Sequence, residues 1–272
     1  MLLHTVMYSC VAEDCPVQCS CYHSFGCSGI SVYCHGDLTN VPTAFPNDTC
    51  SIELSGNPIT NIGKEAFIGL GSLEILDLGW NRISSVEKEA FIGLGSLDQL
   101  DLSLNDITSI QKEAFVGLTS LEKLYLYHNK ITSIEKEAFV GLESLQKLYL
   151  YKNKITTIEK EAFVGLASLH KLYLYKNKIN TLEKEAFVGL TSLQNLLIGS
   201  NPFHCNCHLE DFVDFLQGIL TYDYQILYYK EPQCTSPSYL SGTKLVDVSF
   251  EDINCTDSGR LFCLSCKCFY QN

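Results

Sequence analysis

Between residues 51 and 204 the sequence has no cysteine, although the 272-residue chain contains fourteen. Seven lie between Cys10 and Cys50 and seven between Cys205 and Cys268, so disulfides staple the two ends and the middle must be held by packing. This cysteine usage excludes an ordinary cytosolic enzyme and points to an oxidising compartment, hence to a secreted or surface-displayed protein. Also missing is any apolar run near the roughly 20 residues of a membrane-spanning helix, and the segment after Cys255 lacks a hydrophobic end suited to a lipid-anchor signal. Basic residues are scarce, 19 against 31 acidic ones for a formal net charge of -12. That balance disfavours DNA, RNA or an anionic membrane as partner of the whole surface, and no nucleic-acid ligand is expected. Phosphate-binding glycine loops and calcium loops are absent, and no nucleophile, base and orienting group converge, so neither a cofactor nor catalysis is expected. What is plentiful is apolar material, 46% of residues against 18% charged, enough for a full core.

The apolar residues are organised by a repeat. Asn57, Asn81, Asn105, Asn129, Asn153, Asn177 and Asn201 recur at a constant spacing of 24. Around each stands the frame L-x-x-L-x-L-x-x-N-x-I-x-x-I, and most units continue into A-F-x-G-L, as from Leu121 to Leu142. Each x-L-x-L-x core alternates with period two, so it reads as a short parallel strand that sends leucines such as Leu124 and Leu126 inward. The asparagine sits where the chain must turn, and its amide can satisfy backbone groups that stacking would strand in the core. Phe67, Phe91, Phe115, Phe139, Phe163 and Phe187 form a second ladder, read as core filling of the returning side. The architecture expected is an α/β solenoid with a parallel sheet.

A solenoid has two raw ends that need caps. At the front, Cys15, Cys19 and Cys21 with Cys34 make a tight knot, expected as Cys15 with Cys21 and Cys19 with Cys34. At the rear, NPFHCNC from Asn201 to Cys207 leads into a segment whose Leu209, Phe212, Val213, Leu216 and Ile219 share one helical face. There the expected pairs are Cys205 with Cys234 and Cys207 with Cys255. His204 and His208 flank this motif and Cys263, Cys266 and Cys268 lie close together, but disulfide use outweighs zinc, and no metal is expected. Asn47 and Asn254 begin Asn-x-Thr acceptor sites for glycosylation in the cysteine-rich ends.

These residues carry a resemblance. The CPVQCSC front, the 24-residue units and the NPFHCNC rear resemble an extracellular leucine-rich-repeat ectodomain over residues 15 to 255, most similar in its compact plan to the variable lymphocyte receptors and related innate recognition proteins. Toll-like, Slit-like and Nogo-receptor-like ectodomains are nearly as similar. The resemblance implies a right-handed horseshoe with disulfide-bonded caps, whose concave sheet contacts ligand. It divides the chain into a leader or N-terminal extension (1–14), an N-terminal cap (15–58), repeats (59–202), a C-terminal cap (203–255) and a cysteine-containing tail (256–272). Phe203 departs from the tryptophan usual in the rear motif. Cys10, Cys27, Cys50, Cys263, Cys266 and Cys268 exceed the usual eight and have no assigned partners, and those in the tail could join two copies.

Alternation along the strands also writes out the concave surface. Ser51, Glu53 and Ser55 come first, then Ile75, Asp77 and Gly79, then Gln99, Asp101 and Ser103. Three strands then present Lys123, Tyr125 and Tyr127; Lys147, Tyr149 and Tyr151; Lys171, Tyr173 and Tyr175. Asn195, Leu197 and Gly199 close the sheet. His128, Lys152 and Lys176 extend the patch and Lys130, Lys154 and Lys178 follow the asparagines, so eight of nineteen basic residues gather on three units. The compensating acids are expected on the returning side. Six exposed tyrosines beside lysines suit sugar rings bearing phosphate or carboxylate, so the expected ligand is an anionic microbial glycan or glycolipid, teichoic-acid-like or lipopolysaccharide-like. The alternatives are a host protein, a second copy of the chain bound through the same tyrosines, or tyrosines that merely stack to stabilise the sheet.

Overall fold

A computed structural model describes residues 15–24, 26–64, 66–219 and 231–249. The leader segment, the tail, Asn254, Cys10, Cys255, Cys263, Cys266, Cys268 and the side chain of Ile219 lie outside the described residues.

The expected solenoid is the observed fold. Strands β1 (Cys19–His23) and β2 (Ile30–Cys34) pair antiparallel, and β2 then opens a parallel series. The series runs through β3 (Thr49–Glu53), β4 (Ile75–Asp77), β5 (Gln99–Asp101) and β6 (Lys123–Tyr125). It continues on the far side with β8 (Lys147–Tyr149), β10 (Lys171–Tyr173) and β11 (Asn195–Leu197), completing a nine-stranded sheet. The intervening β7 (Ser133–Ile134) and β9 (Thr157–Ile158) pair with each other on the returning side. Each main strand from β4 to β10 is only three residues long because the asparagine turn begins directly after it. The parallel part of the sheet starts one strand earlier than the repeat pattern: Tyr33 of β2 stands in register with Glu53.

Two ladders hold the turns together. Asn153 donates from Nδ2 to the Leu126 and Leu150 carbonyls at 2.9 and 3.0 Å and accepts the Ile131 N–H at 3.1 Å. Asn129 and Asn177 repeat this pattern one turn away, so every amide bridges its own turn and the one before it. The rings from Phe67 to Phe163 stack at 5.8–6.3 Å between centroids and all are buried. Phe187 ends the stack against Phe212 and Phe215 of α1 (Glu210–Ile219), both at 5.3 Å. Leu209, Phe212, Val213 and Leu216 are buried, so the helix seals the last turn with the face its spacing predicts. Glycine is demanded where the returning chain turns: Gly141 has φ 98°, and a Cβ there would meet the Val116 Cα at 3.3 Å.

The ends carry disulfides between Cys15 and Cys21, Cys19 and Cys34, and Cys205 and Cys234. Cys207 is disulfide-bonded as well. Cys27 and Cys50, two of the surplus six, also pair. They tie the loop after β1 to the first residues of β3.

Candidate binding face

Register places the outward side chains in rows across the strands. One row reads Ser51, Ile75, Gln99, Lys123, Lys147, Lys171 and Asn195. The next reads Tyr33, Glu53, Asp77, Asp101, Tyr125, Tyr149, Tyr173 and Leu197. Beyond the strands follow Gly79, Ser103, Tyr127, Tyr151, Tyr175 and Gly199, joined by backbone hydrogen bonds such as His128 N–H to the Tyr151 carbonyl at 3.1 Å. The face therefore has an acidic half on β3 to β5 and a basic, tyrosine-rich half on β6 to β10.

In the basic half the lysines are not equivalent. Lys123 is ion-paired to Asp98 at 3.2 Å and Lys130 to Asp106 at 2.6 Å, so neither is a free charge for a ligand. Among the described residues, Lys147, Lys152, Lys154, Lys171, Lys176 and Lys178 form no ion pair. The excess acids lie on the returning side, as expected, and make no direct contact with these lysines. Lys64, Lys88, Lys112, Lys136 and Lys160 each reach the glutamate one turn on, Glu89, Glu113, Glu137, Glu161 and Glu183, at 2.5–3.1 Å. Each E-K-E-A-F motif carries two glutamates to one lysine, so this ladder of ion pairs leaves the outside net acidic, and none of its acids reaches the concave lysines. His128 has its pKa lowered by loss of solvent and then by Lys152 and Lys176, which makes it a neutral ring at physiological pH.

The tyrosines are packed rather than splayed. Tyr125 stacks on Tyr149 at 4.7 Å and 10°, Tyr127 on Tyr151 at 4.7 Å and 2°, and Tyr151 on Tyr175 at 4.5 Å and 7°. Tyr173 lies tilted on Tyr149 at 4.9 Å. The expected six exposed rings are therefore corrected: Tyr175 is only 6% exposed, and the other five are half-buried. Asn195, Leu197 and Gly199 are buried too, so the open part of the face ends near β10. Stacking across parallel strands uses up the ring faces, and what the ladders offer is ring edges and rows of hydroxyls. Burial raises the pKa of Tyr125, with help from Asp101, and of Tyr149, so both remain protonated donors.

In the acidic half, Asp77 accepts the Gly79 N–H and Asp101 the Ser103 N–H, both at 2.7 Å. Burial, outweighing the Gly79 hydrogen bond and supported by the neighbouring Glu53 and Asp101 charges, pushes Asp77 up to about 6. Burial raises Asp101 likewise.

One feature of the face is invisible to strand alternation. Trp80, Leu104, His128, Lys152, Lys176 and Ser200, each directly before a ladder asparagine, share a left-handed backbone with φ between 52° and 57°. Trp80, the chain's only tryptophan, is 71% exposed there and Leu104 37%. A constant offset from the asparagine was the available signal. Away from the face, exposed Asn47 lines a hollow of about 540 Å³ beside Pro42, Phe45, Lys64 and Ile68. His204 Nδ1 is 2.8 Å from Ser236 Oγ, and no metal-binding group of histidine, cysteine or acidic side chains occurs among the described residues. Nor is any helix among them long and apolar enough to cross a membrane.

A family profile described as leucine rich repeat matches residues 50–107, 99–155 and 144–203. The insulin-like growth factor-binding protein complex acid labile subunit of Rattus norvegicus is 38% identical over 66 residues, 24% of this chain and 11% of that protein. Its Mus musculus counterpart is 37% identical over the same shares. The chain thus spans about a tenth of the length of these curated relatives. Among solved structures, that of a TLR13–ssRNA13 complex aligns with a TM-score of 0.57 at 32% identity, over 58% of this chain and 22% of the other. Human 5T4 (Wnt-activated inhibitory factor 1, trophoblast glycoprotein) aligns with a TM-score of 0.59 at 24% identity, over 90% of this chain and all of the other, and that likeness speaks to fold alone.

Proposed function

We propose, from the premise that the chain belongs to the leucine-rich-repeat family, that it is an extracellular binding protein, without catalytic activity, that takes a repetitive anionic polymer on the basic half of its concave face. The observation that carries this reading is the pair Lys147 and Lys171, adjacent in register and without an ion pair among the described residues. Lys152 and Lys176 repeat the pattern along one side of the tyrosine ladders. Charges and hydroxyls recurring every strand, roughly 4.8 Å apart, match a ligand whose own phosphates or carboxylates recur. Microbial cell-surface polymers of the teichoic-acid or lipopolysaccharide type fit this chemistry, and such binding is an act of innate recognition. Because the ring faces are stacked on one another, the ligand is held by lysine charge and tyrosine hydroxyls and not by sugars lying flat on the rings.

The test is binding to lipoteichoic acid and lipopolysaccharide by the protein and by Lys147→Glu/Lys171→Glu. The variant should bind at least tenfold more weakly, and binding by the unaltered protein should fall steeply with salt, as screening requires. Equal binding by the two proteins, or binding indifferent to salt, would overturn the reading. A single-stranded oligonucleotide belongs in the panel: the net charge of -12 argues against nucleic acid for the whole surface, yet the local strip is basic. A protein ligand is the second reading, favoured by the half-buried tyrosine edges, which are common at protein interfaces. It predicts binding that salt weakens only slightly.

A further inference from the structure

The acidic half of the concave face borders the polymer strip at Tyr125 and Tyr127 but shares none of its lysines, and it has the features of a site of its own. Glu53, Asp77 and Asp101 stand side by side in register, and among the described residues none of them has a cationic partner. Beside them the row that carries Tyr127 and Tyr151 farther along is reduced to Gly79 and Ser103, the latter buried. A Cβ on Gly79 would lie 3.0 Å from Asp77 Oδ1 and 3.4 Å from Asp101 Oδ1, so both carboxylates lean over this floor. On its other side rise Trp80 and Leu104, neighbours on successive turns, linked through the Trp80 N–H to Ser103 carbonyl bond at 3.0 Å. Tyr127 closes the trough toward the basic half, with one ring face already covered by Tyr151.

Trp80 and Leu104 are unfavourable choices for the fold alone. The positions have φ 52° and 55°, in the left-handed region that favours glycine, and of the equivalent positions Gly56 carries no side chain and His128, Lys152, Lys176 and Ser200 carry polar ones, so these two alone put apolar groups there. Both side chains project into solvent instead of filling the core. Two adjacent, exposed apolar residues edging a line of carboxylates are the composition of an interface anchor, since tryptophan dominates the energetics of protein interfaces when it is covered. The charge of the trough selects against polyanions and for a cationic partner.

We propose that the trough formed by β3 to β5 is a second docking site, which takes a basic, apolar segment of a partner protein by covering Trp80 and Leu104 and pairing its arginine or lysine with Glu53, Asp77 and Asp101. The concave face then has two regions of opposite preference, with Tyr125 and Tyr127 as the divide.

Trp80 is its own reporter. Titration at pH 7.5 with a short peptide of alternating arginine and leucine should shift the tryptophan emission to the blue and saturate, whereas the glutamate–leucine counterpart should leave it unchanged. Measured by anisotropy of labelled peptide, Trp80→Ser and Asp77→Asn/Asp101→Asn should each bind at least tenfold more weakly, and Lys147→Glu/Lys171→Glu should bind no more weakly than the unaltered chain. Binding by Trp80→Ser equal to that of the unaltered protein would overturn the proposal, because the peptide would then be held by net charge alone. So would a concentration-dependent dimer in sedimentation velocity that Trp80→Ser abolishes, since a second copy would then be the occupant. The polymer strip is tested by different residues and a ligand of opposite charge, so either site can fail alone.

Discussion

Replacing Asn153 with alanine is expected to lower stability by about 2–4 kcal/mol, the largest effect of any change considered for this molecule. The size follows from which groups lose their only partner. The Ile131 N–H is buried against the Asn153 Oδ1 at 3.1 Å and would be left without an acceptor. The two carbonyls fare better, because each is shared: Leu126 also receives Asn129 Nδ2 at 3.1 Å and Leu150 also receives Asn177 Nδ2 at 3.0 Å. One orphaned donor costs roughly 1–3 kcal/mol and two weakened acceptors less than that each. Because a solenoid is stabilised by contacts between adjacent turns, a lesion in the fifth of seven successive inter-turn amides also uncouples the two halves. Urea denaturation should therefore show a lowered midpoint and a broader transition, while Lys154→Ala, one residue away and exposed, should change neither. A loss below about 0.5 kcal/mol for Asn153→Ala, the scale of an ordinary surface change, would show that the ladder amides are replaceable by water.

The ladders were legible in the sequence because they are strictly periodic: an asparagine every 24 residues, and a phenylalanine at a constant distance after it, can have only one spatial meaning in a stacked chain. The rows of the concave face followed from alternation alone, and so did the grouping of tyrosines and lysines. What alternation does not carry is how neighbouring side chains share space. That Tyr127, Tyr151 and Tyr175 spend their faces on each other, and that Tyr175 is covered, depends on ring rotamers and on what lies over β11. The pairing of Lys123 with Asp98 joins residues 25 positions apart, the outer ladder likewise joins residues about one turn apart in sequence, and a charge count per unit cannot tell such partners from free charges. Cys27 and Cys50 belong to no repeat, and their pairing required the path of the loop after β1. Trp80 lies outside the strand alternation, and only its constant offset from the ladder asparagine, shared with His128, Lys152 and Lys176, ties it to the face.

The acidic half of the face yields the second large effect. Asp77→Asn is expected to stabilise the protein at pH 7.5 and to leave it nearly unchanged at pH 3.5. The carboxyl has its pKa raised from 3.8 to about 6 in the folded chain. Between these values the folded protein holds a proton that the unfolded chain releases, so this residue makes stability fall as pH rises through that window and leaves a constant cost above it. At about 1.4 kcal/mol for each tenfold change in proton affinity the cost would approach 3 kcal/mol; partial solvent access lowers the expected gain to about 1–2 kcal/mol. Glu53 and Asp101 face Asp77 from the adjacent strands, and their charges help to raise its pKa, so the difference between the two proteins is the quantity to follow. Asparagine keeps an oxygen for the Gly79 N–H, which separates the charge from the hydrogen bond. Urea midpoints for both proteins at pH 3.5 and 7.5 decide the matter. A gain of equal size at both pH values would assign it to packing, and a loss at pH 7.5 would mean that the aspartate is not under electrostatic penalty. If the gain appears as expected, the chain keeps at the edge of the Trp80 trough a negative charge that weakens its own fold, which is what a surface retained for a cationic partner requires.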